Sequence, residues 1–315
     1  MKAFVTGAGG FIGSHLCEAL RDAGHAVTGM AHYRSQDTFG WLDEVEGIEK
    51  VRGDIRDADQ MRALIKGHDV VFHLAALGSV PYSYETPRAF IDTNVIGTLN
   101  VLTACRDTGA RIIHASTSEV YGTAQYEPQD EKHPLNPQSP YAASKVAADA
   151  LVNAFHLSYG LPAVILRPFN TFGPRQSERA VVPAIIRQAL DGRCGTIQIG
   201  ATYSRRDLTY VKDTVDAFIK AAELYSVGPW NVGTGICTGI WTLADQLRET
   251  FSSKPVVSIA SRVRPEASEV RALRCDAGKF SKATGWRPKH TLSEGLKETI
   301  AWWKSRPMRG TDHVV

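Results

Sequence analysis

The sequence predicts an α/β protein: a doubly wound parallel sheet covered by helices on both faces, with a smaller C-terminal α/β domain attached. Three observations predict it. Short apolar runs alternate with helical patterns as far as residue 168. A glycine-rich turn joins the first run to the first helix. Beyond Phe172 the alternation gives way to mixed short segments.

The first strand is AFV at 3–5, a short apolar run stopped by glycines, and a helical pattern follows over 12–23. Strands are expected at 25–30 and 48–54. Asp57 is placed to cap a helix over 57–67. DVVFHLAA at 69–76 reads as a fourth strand. A long helix over 90–109 closes at Gly109, because glycine accepts the left-handed conformation of a helix end. RIIHAST at 111–117 is a fifth strand, 141–159 another long helix and 162–168 a sixth strand. Farther on, strands are expected at 196–200, 229–233 and 256–260, and helices at 182–192, 209–225 and 241–251. The first domain is thus 1–172, rejoined by about 207–235, and the second is 173–315.

Composition excludes several function classes. The chain has 315 residues, 43% hydrophobic and 22% charged, with a net charge of +3. That charge is too small to argue for nucleic acid. No apolar run approaches the ~20 residues that cross a bilayer. The start lacks the features of a secretion signal, so a cytoplasmic protein is expected. The cysteines, at 17, 105, 194, 237 and 275, are odd in number and widely spaced, and the histidines are scattered. Neither a disulfide framework nor a metal site is expected.

TGAGGFIG at 6–13 is the first motif with chemistry in it. Gly7 permits a tight turn, Gly10 lets backbone approach a pyrophosphate, and Gly13 lets helix and strand pack closely. The helix start beyond offers free N–H groups and a positive dipole end to phosphates. A strand–loop–helix of this kind points to dinucleotide binding and a Rossmann-type sheet. The second strand ends at Met30, where an acid gripping a ribose would be usual, and AHYRS follows. His32, Arg34 and Ser35 could meet a 2′-phosphate, which tilts the cofactor towards NADP, with NAD the alternative. Asp54 is placed either to bond adenine or to cap the next helix.

Tyr141 and Lys145 lie four residues apart, on one face of a helix. A lysine ammonium beside a phenol favours the phenolate, which can take a proton from a sugar hydroxyl. Thr117 stands at a strand end nearby in the same pattern.

TGAGGFIG, the Tyr141–Lys145 pair, RPFNTFGPRQ at 167–176, RRDLTYVKD at 205–213 and RPE at 264–266 together resemble the extended short-chain dehydrogenase/reductase family of nucleotide-sugar epimerases, dehydratases and decarboxylases. The resemblance covers residues 2 to about 303. It implies a tightly held, recycled NAD or NADP, a second domain binding a nucleoside-diphosphate sugar, and a homodimer through helices near 89–107 and 141–158. It further implies that Thr117, Tyr141 and Lys145 form the site of sugar oxidation. Gly7, Gly10, Phe11, Ile12, Gly13, Asp54, Ile55, Leu74, Ala75 and Ala76 would line the cofactor. Ser79, Tyr82, Asn170, Val182, Arg206 and Arg264 would hold the substrate, the arginines matching phosphate oxygens with their forked donors.

Glu119 separates the family's reactions. An epimerase needs no carboxylate beside Thr117. A 4,6-dehydratase must remove the proton at C5 and expel the C6 hydroxyl, which needs a positioned base. Thr117-Ser118-Glu119 is similar to the GDP-mannose 4,6-dehydratase pattern, with Ser118 supporting Glu119, although UDP-glucuronate decarboxylases share the triplet. HLAALGSVPYSYETP at 73–87 and FGWLDEVEG at 39–47 most resemble the 4,6-dehydratases of the legionaminic acid pathway, which act on a nucleotide-activated N-acetylglucosamine. The expected activity is therefore a nucleotide-sugar 4,6-dehydratase acting on UDP- or GDP-N-acetylglucosamine. A 4-epimerase, a decarboxylase and a non-catalytic NAD(P)-binding sensor are the competing readings.

Overall fold

A computed structural model of the chain describes residues 1–33, 37–251, 254–260 and 263–306. In chain order its strands are β1 (Lys2–Thr6), β2 (Ala26–Ala31), β3 (Glu49–Arg52), β4 (Val70–His73), β5 (Arg111–Ala115), β6 (Ala163–Pro168), β7 (Asn170–Phe172), β8 (Ile197–Ile199), β9 (Arg205–Tyr210), β10 (Trp230–Val232), β11 (Cys237–Gly239), β12 (Val256–Ser258) and β13 (Ala272–Leu273). The helices are α1 (Phe11–Asp22), α2 (Ala58–Ile65), α3 (Val80–Glu85), α4 (Pro87–Phe90), α5 (Gly97–Thr108), α6 (Pro140–Tyr159), α7 (Val181–Leu190), α8 (Val211–Ala221), α9 (Ile240–Phe251), α10 (Gly278–Thr284) and α11 (Leu292–Lys304).

Seven strands form one sheet in the order β10-β6-β5-β4-β1-β2-β3. Every pairing in it is parallel. Side chains alternate between its faces. Val5, Phe72, Ile113 and Leu166 pack in one apolar cluster with Leu16 and Leu20 of α1. Phe4, Val71, Ile112 and Ile165 pack in the other with Val101 and Leu102 of α5. Both faces are dry, which is why these strands read as unbroken apolar runs.

The edge strand β10 comes from far down the chain and pairs with β6. Helix α8 returns with it and packs on α1. The smaller part holds β7, β9, β11 and β13 in a mixed sheet, and β8 with β12 in a parallel pair. Two expected boundaries shift. Thr209 and Tyr210 finish β9 rather than starting a helix, and α8 begins at Val211. The long helix expected over 90–109 spans α4 to α5 with a π-helical turn, Ile91–Ile96, in its middle. Asn94 explains that turn. Its side chain accepts from Leu77 N at 2.8 Å and donates to Ser144 Oγ at 2.9 Å, so it must face α6 rather than follow the α-helical spiral. Asp57 caps α2 through Gln60 N at 3.0 Å, as its position in the sequence suggests.

Candidate active site

The parallel sheet delivers four loops to one edge, at the carboxyl ends of β1, β4, β5 and β6. The first is the glycine turn. Gly7 has φ of +69°, and a Cβ there would lie 2.7 Å from Ala75 N. At Gly13 a Cβ would lie 2.3 Å from Gly7 O. These two positions seat the turn against Leu74 and Ala75 and bring α1 close beneath it. No side chain caps α1 at Gly10, so the N–H groups of Phe11, Ile12 and Gly13 are left for an anion. The cradle fits a pyrophosphate, and added methyl groups would close it.

Beneath it lies a buried chain of hydrogen bonds. Thr6 Oγ1 meets His73 Nδ1 at 2.8 Å and accepts from Ala75 N at 3.1 Å. His73 Nε2 meets Thr98 Oγ1 at 3.0 Å. Burial pushes the His73 imidazole from 6.5 down to about 3, so the ring is neutral.

At the adenosine end, Asp54 is already engaged. Arg56 binds its carboxylate with Nη2 at 2.5 Å and Nε at 3.0 Å, and His32 Nε2 lies 3.3 Å away. Arg56 above all holds the Asp54 carboxyl down at about 2. Asp54 does not cap α2; Asp57 does. Ile55 is buried against Gly97. Ala76 is exposed. Arg34 and Ser35 lie outside the described residues.

The end of β5 turns at Ser118–Tyr121, with Thr117 Oγ1 accepting from Glu119 N at 3.2 Å. Lys145 reaches from α6 to Ala115 O at 2.6 Å and is 4% exposed. Burial pushes its ammonium down to about 8, against the attraction of Asp149. Tyr141 keeps partial exposure. Burial pushes its phenol up to about 12; a hydrogen bond with Thr117 opposes the rise, and the Glu119 and Asp149 carboxylates add to it. Ser118 is buried at the head of the turn.

Glu119 has a partner the sequence did not suggest. Arg264 Nη1 lies 3.7 Å from its carboxylate and makes no hydrogen bond of its own. Arg206 neighbours the same pair and is fixed by Glu269 at 3.3 Å. Thr117, Glu119, Tyr141, Lys145, Arg206 and Arg264 thus form one cluster. A cleft of about 840 Å³ opens at Arg264 and is lined also by Tyr203, Arg205 and Glu269.

The other expected substrate contacts divide. Asn170 Oδ1 is buried with no hydrogen-bond partner, as an atom awaiting a ligand would be. Ser79 caps α3 by accepting from Tyr82 N at 3.3 Å. The Tyr82 ring, half exposed, stacks towards Phe90, which in turn meets Tyr141 at a centroid distance of 6.3 Å. Val182 is 1% exposed within the apolar core, so its side chain offers no surface to a ligand. Its place on the apolar stripe of α7, beside Ile185 and Ile186, is the reason.

Sequence reasoning passed over Asp149, one helical turn beyond Lys145 on the same face. Arg167 donates to Asp149 Oδ2 through Nη2 at 2.9 Å and Nε at 3.1 Å, and Ser116 Oγ donates to it at 2.9 Å. Arg167 Nη1 also reaches Tyr121 OH at 3.0 Å, and Tyr121 donates to Asn231 of β10 at 2.7 Å. The i, i+4 spacing from Lys145 was the signal that could have found Asp149. Among the described residues there is no His, Cys, Asp and Glu cluster able to hold a metal ion. No described helix is long and apolar enough to cross a membrane.

Known proteins are similar to this chain over most of their length. The profile of the GDP-mannose 4,6 dehydratase family matches residues 4–299. A UDP-glucose 4-epimerase of Mycolicibacterium smegmatis is 34% identical over 97% of this chain and 99% of its own. A dTDP-glucose 4,6-dehydratase of Xanthomonas campestris pv. campestris is 34% identical over 95% and 92%. The crystal structure of a dTDP-glucose 4,6-dehydratase from Streptomyces venezuelae, with NAD bound, superposes with a TM-score of 0.89 at 30% identity, covering 96% of this chain and 97% of that one. The chain is therefore an enzyme of the nucleotide-sugar dehydratase/epimerase group and belongs to the extended short-chain dehydrogenase/reductase family.

Proposed function

We propose that the protein is a nucleotide-sugar 4,6-dehydratase acting on UDP- or GDP-N-acetylglucosamine or a related hexose. The observation that carries this reading is Glu119: a carboxylate in the same cluster as the Tyr141 phenol, with Arg264 at its side and Arg206 beyond. Epimerisation has no use for it, whereas elimination requires a base there.

The uncapped α1 terminus and the glycine cradle would hold the pyrophosphate of a nicotinamide dinucleotide, and NAD is the form bound in the related dehydratase. The chemistry the dinucleotide would supply there is reversible hydride transfer, from the sugar's C4 and later to C6. Tyr141 takes the O4 proton while Thr117 holds O4. Lys145, held against Ala115 O, supplies positive charge that favours the phenolate. The new ketone at C4 acidifies C5. Glu119 removes the C5 proton, the C6–O bond breaks, and Glu119 gives its proton to the departing oxygen, which leaves as water. A solvent proton then completes C5. Ser118 supports the turn that aims Glu119. Arg206 and Arg264 neutralise the diphosphate, and Asn170 supplies its unused oxygen to a sugar or nucleotide donor.

In the same proposal the first lobe binds the cofactor, the second the nucleotide sugar, and two chains pair through their long helices. Ile91, Ile96 and Leu157, all exposed, lie on those helices.

Mass spectrometry of products from UDP- and GDP-N-acetylglucosamine tests the reading. Loss of one water supports it. A C4 epimer of unchanged mass, or carbon dioxide released from UDP-glucuronate, would replace it with one of the sister reactions. Glu119→Gln should still reduce bound cofactor yet release no water; full activity in that variant removes Glu119 from the mechanism.

A further inference from the structure

The residue just before the Tyr141 helix joins three segments of the site. Gln138 Oε1 accepts from Thr123 N at 2.6 Å and from Thr123 Oγ1 at 2.9 Å. Its Nε2 donates to Ala267 O at 2.8 Å. Ser268 Oγ donates to Gln138 O at 2.5 Å and lies 2.5 Å from Tyr84 OH, which therefore donates to it. The next residue, Ser139, caps α6 through Ala142 N at 3.1 Å.

Each arm leads to a reacting or charged group. Thr123 follows the Ser118–Tyr121 turn that carries Glu119. That turn is clamped against the same segment from its other side, where Asn136 N donates to Val120 O at 3.0 Å. Gly122 sits between them at φ of +62°, and a Cβ there would lie 2.1 Å from Asn136 O. Ala267 and Ser268 belong to the short turn that begins just after Arg264, closed by Ser268 N on Pro265 O at 2.8 Å. Glu269, next in line, holds Arg206. Tyr84 lies on α3, the helix that starts at Ser79 and carries Tyr82.

The amide satisfies both ends, as neither a carboxylate nor an apolar group could. The Thr123 N–H requires an acceptor and the Ala267 carbonyl requires a donor, which also fixes the orientation of the Gln138 side chain. The separation of 129 residues between Gln138 and Ala267 makes this a tertiary fastening rather than a local turn.

We propose that Gln138 is a positioning residue for elimination: its side-chain amide fastens the Glu119 turn to the Arg264 segment, and so sets Glu119 against the sugar. The proposal rests on the dehydratase reading. The arms of the Gln138 amide end on Thr123 and Ala267, whereas α6, which carries Tyr141 and Lys145, is capped by Ser139, and Thr117 lies just past β5, so C4 oxidation does not depend on those arms. Glu119 and Arg264 meet across two separate loops, so elimination does.

The test is a single turnover of purified protein with UDP- or GDP-N-acetylglucosamine, whichever the wild type converts. Cofactor reduction is followed by absorbance and water loss by mass spectrometry. Gln138→Met keeps the length and removes both arms. Gln138→Glu keeps the acceptor for Thr123 and loses the donor to Ala267. Cofactor reduction should stay within about twofold of wild type in both, while water loss slows by about tenfold to a hundredfold in Gln138→Met and less in Gln138→Glu, the scale set by roughly 1 Å of misplacement. Equal slowing of both steps would make Gln138 merely structural and overturn the proposal, as would water loss at the wild-type rate. A wild-type protein that reduces its cofactor but never loses water overturns the dehydratase reading first, and the role of Gln138 with it.

Discussion

Replacing Lys145 by methionine should give a protein that is inactive and, near neutral pH, more stable. The ammonium is 4% exposed and is pushed by burial from 10.5 down to about 8. At about 1.36 kcal/mol per pH unit, that drop makes the charged lysine roughly 3 kcal/mol less favourable in the fold than in the unfolded chain. Below pH 8 the whole penalty is present. Between pH 8 and 10.5 the folded lysine is neutral while the unfolded one keeps its proton, so rising pH stabilises the fold. Above 10.5 both are neutral and the penalty is gone. Methionine has similar length and no charge, so it carries no such dependence. It also loses the 2.6 Å bond to Ala115 O, a deficit of roughly 1–2 kcal/mol at every pH. The variant should therefore lead by roughly 1–2 kcal/mol at about pH 7 and trail by a similar amount near pH 10.5. Urea unfolding of both proteins, stripped of nucleotide and at one concentration, measures the difference across this window. A difference that stays constant with pH would refute the claim that Lys145 is held against a desolvation cost.

Three further outcomes follow from the same geometry. Gly13→Ala puts a methyl 2.3 Å from Gly7 O, so calorimetry should find dinucleotide binding lost and thermal melts should show a loss of about 1–3 kcal/mol. Arg167→Leu leaves the Asp149 carboxylate buried without the guanidinium that donates twice to its Oδ2 and should cost about 3–5 kcal/mol in urea unfolding, much of it recovered by adding Asp149→Leu. His73 stays neutral in the fold down to about pH 3, whereas the unfolded histidine takes a proton below about 6.5; stability present above 6.5 is lost as pH falls through that window, and His73→Gln should flatten this acid limb by roughly 5 kcal/mol.

Local chemistry was legible in the sequence; fastenings between distant segments were not. The glycine cradle, the Asp57 cap and the Tyr141–Lys145 face each depend on residues within a few positions of one another, where spacing and handedness fix the outcome. Asn94 shows the opposite case. Nothing in FIDTNVIG breaks a helix, and the π turn arises because Asn94 is bonded to Leu77 and Ser144, 17 and 50 residues away. Gln138 is similar, since its value lies in Thr123 and Ala267 together. Val182 is another case: its apolar neighbours on α7 turn its side chain into the core, a consequence of helical phase that a motif match does not weigh.

The placement of the site itself follows from strand direction. When strands run parallel, their carboxyl ends share one edge, and every loop that leaves them opens on the same crevice. Gly7, Leu74, Thr117 and Asn170 stand just beyond or at the ends of β1, β4, β5 and β6, so one topological fact gathers them without any further design. The charges that act on them come from elsewhere. Arg206 arrives on β9 and Arg264 on the segment before β13, and β9 is tied to β7, the strand that directly continues β6. The chain therefore carries its two arginines to Glu119 through backbone pairing with the very strand that leaves the crevice. Disrupting β7 and β9 should then loosen Arg206 and Arg264 while sparing the glycine cradle, which is seated against Leu74 and Ala75 and follows β1, a strand of the larger sheet. Thr171→Pro, which puts a proline in the middle of the three-residue β7, should preserve dinucleotide affinity in calorimetry and weaken nucleotide-sugar binding at least about tenfold. Equal loss of both affinities would show that the two halves of the crevice are not independently held.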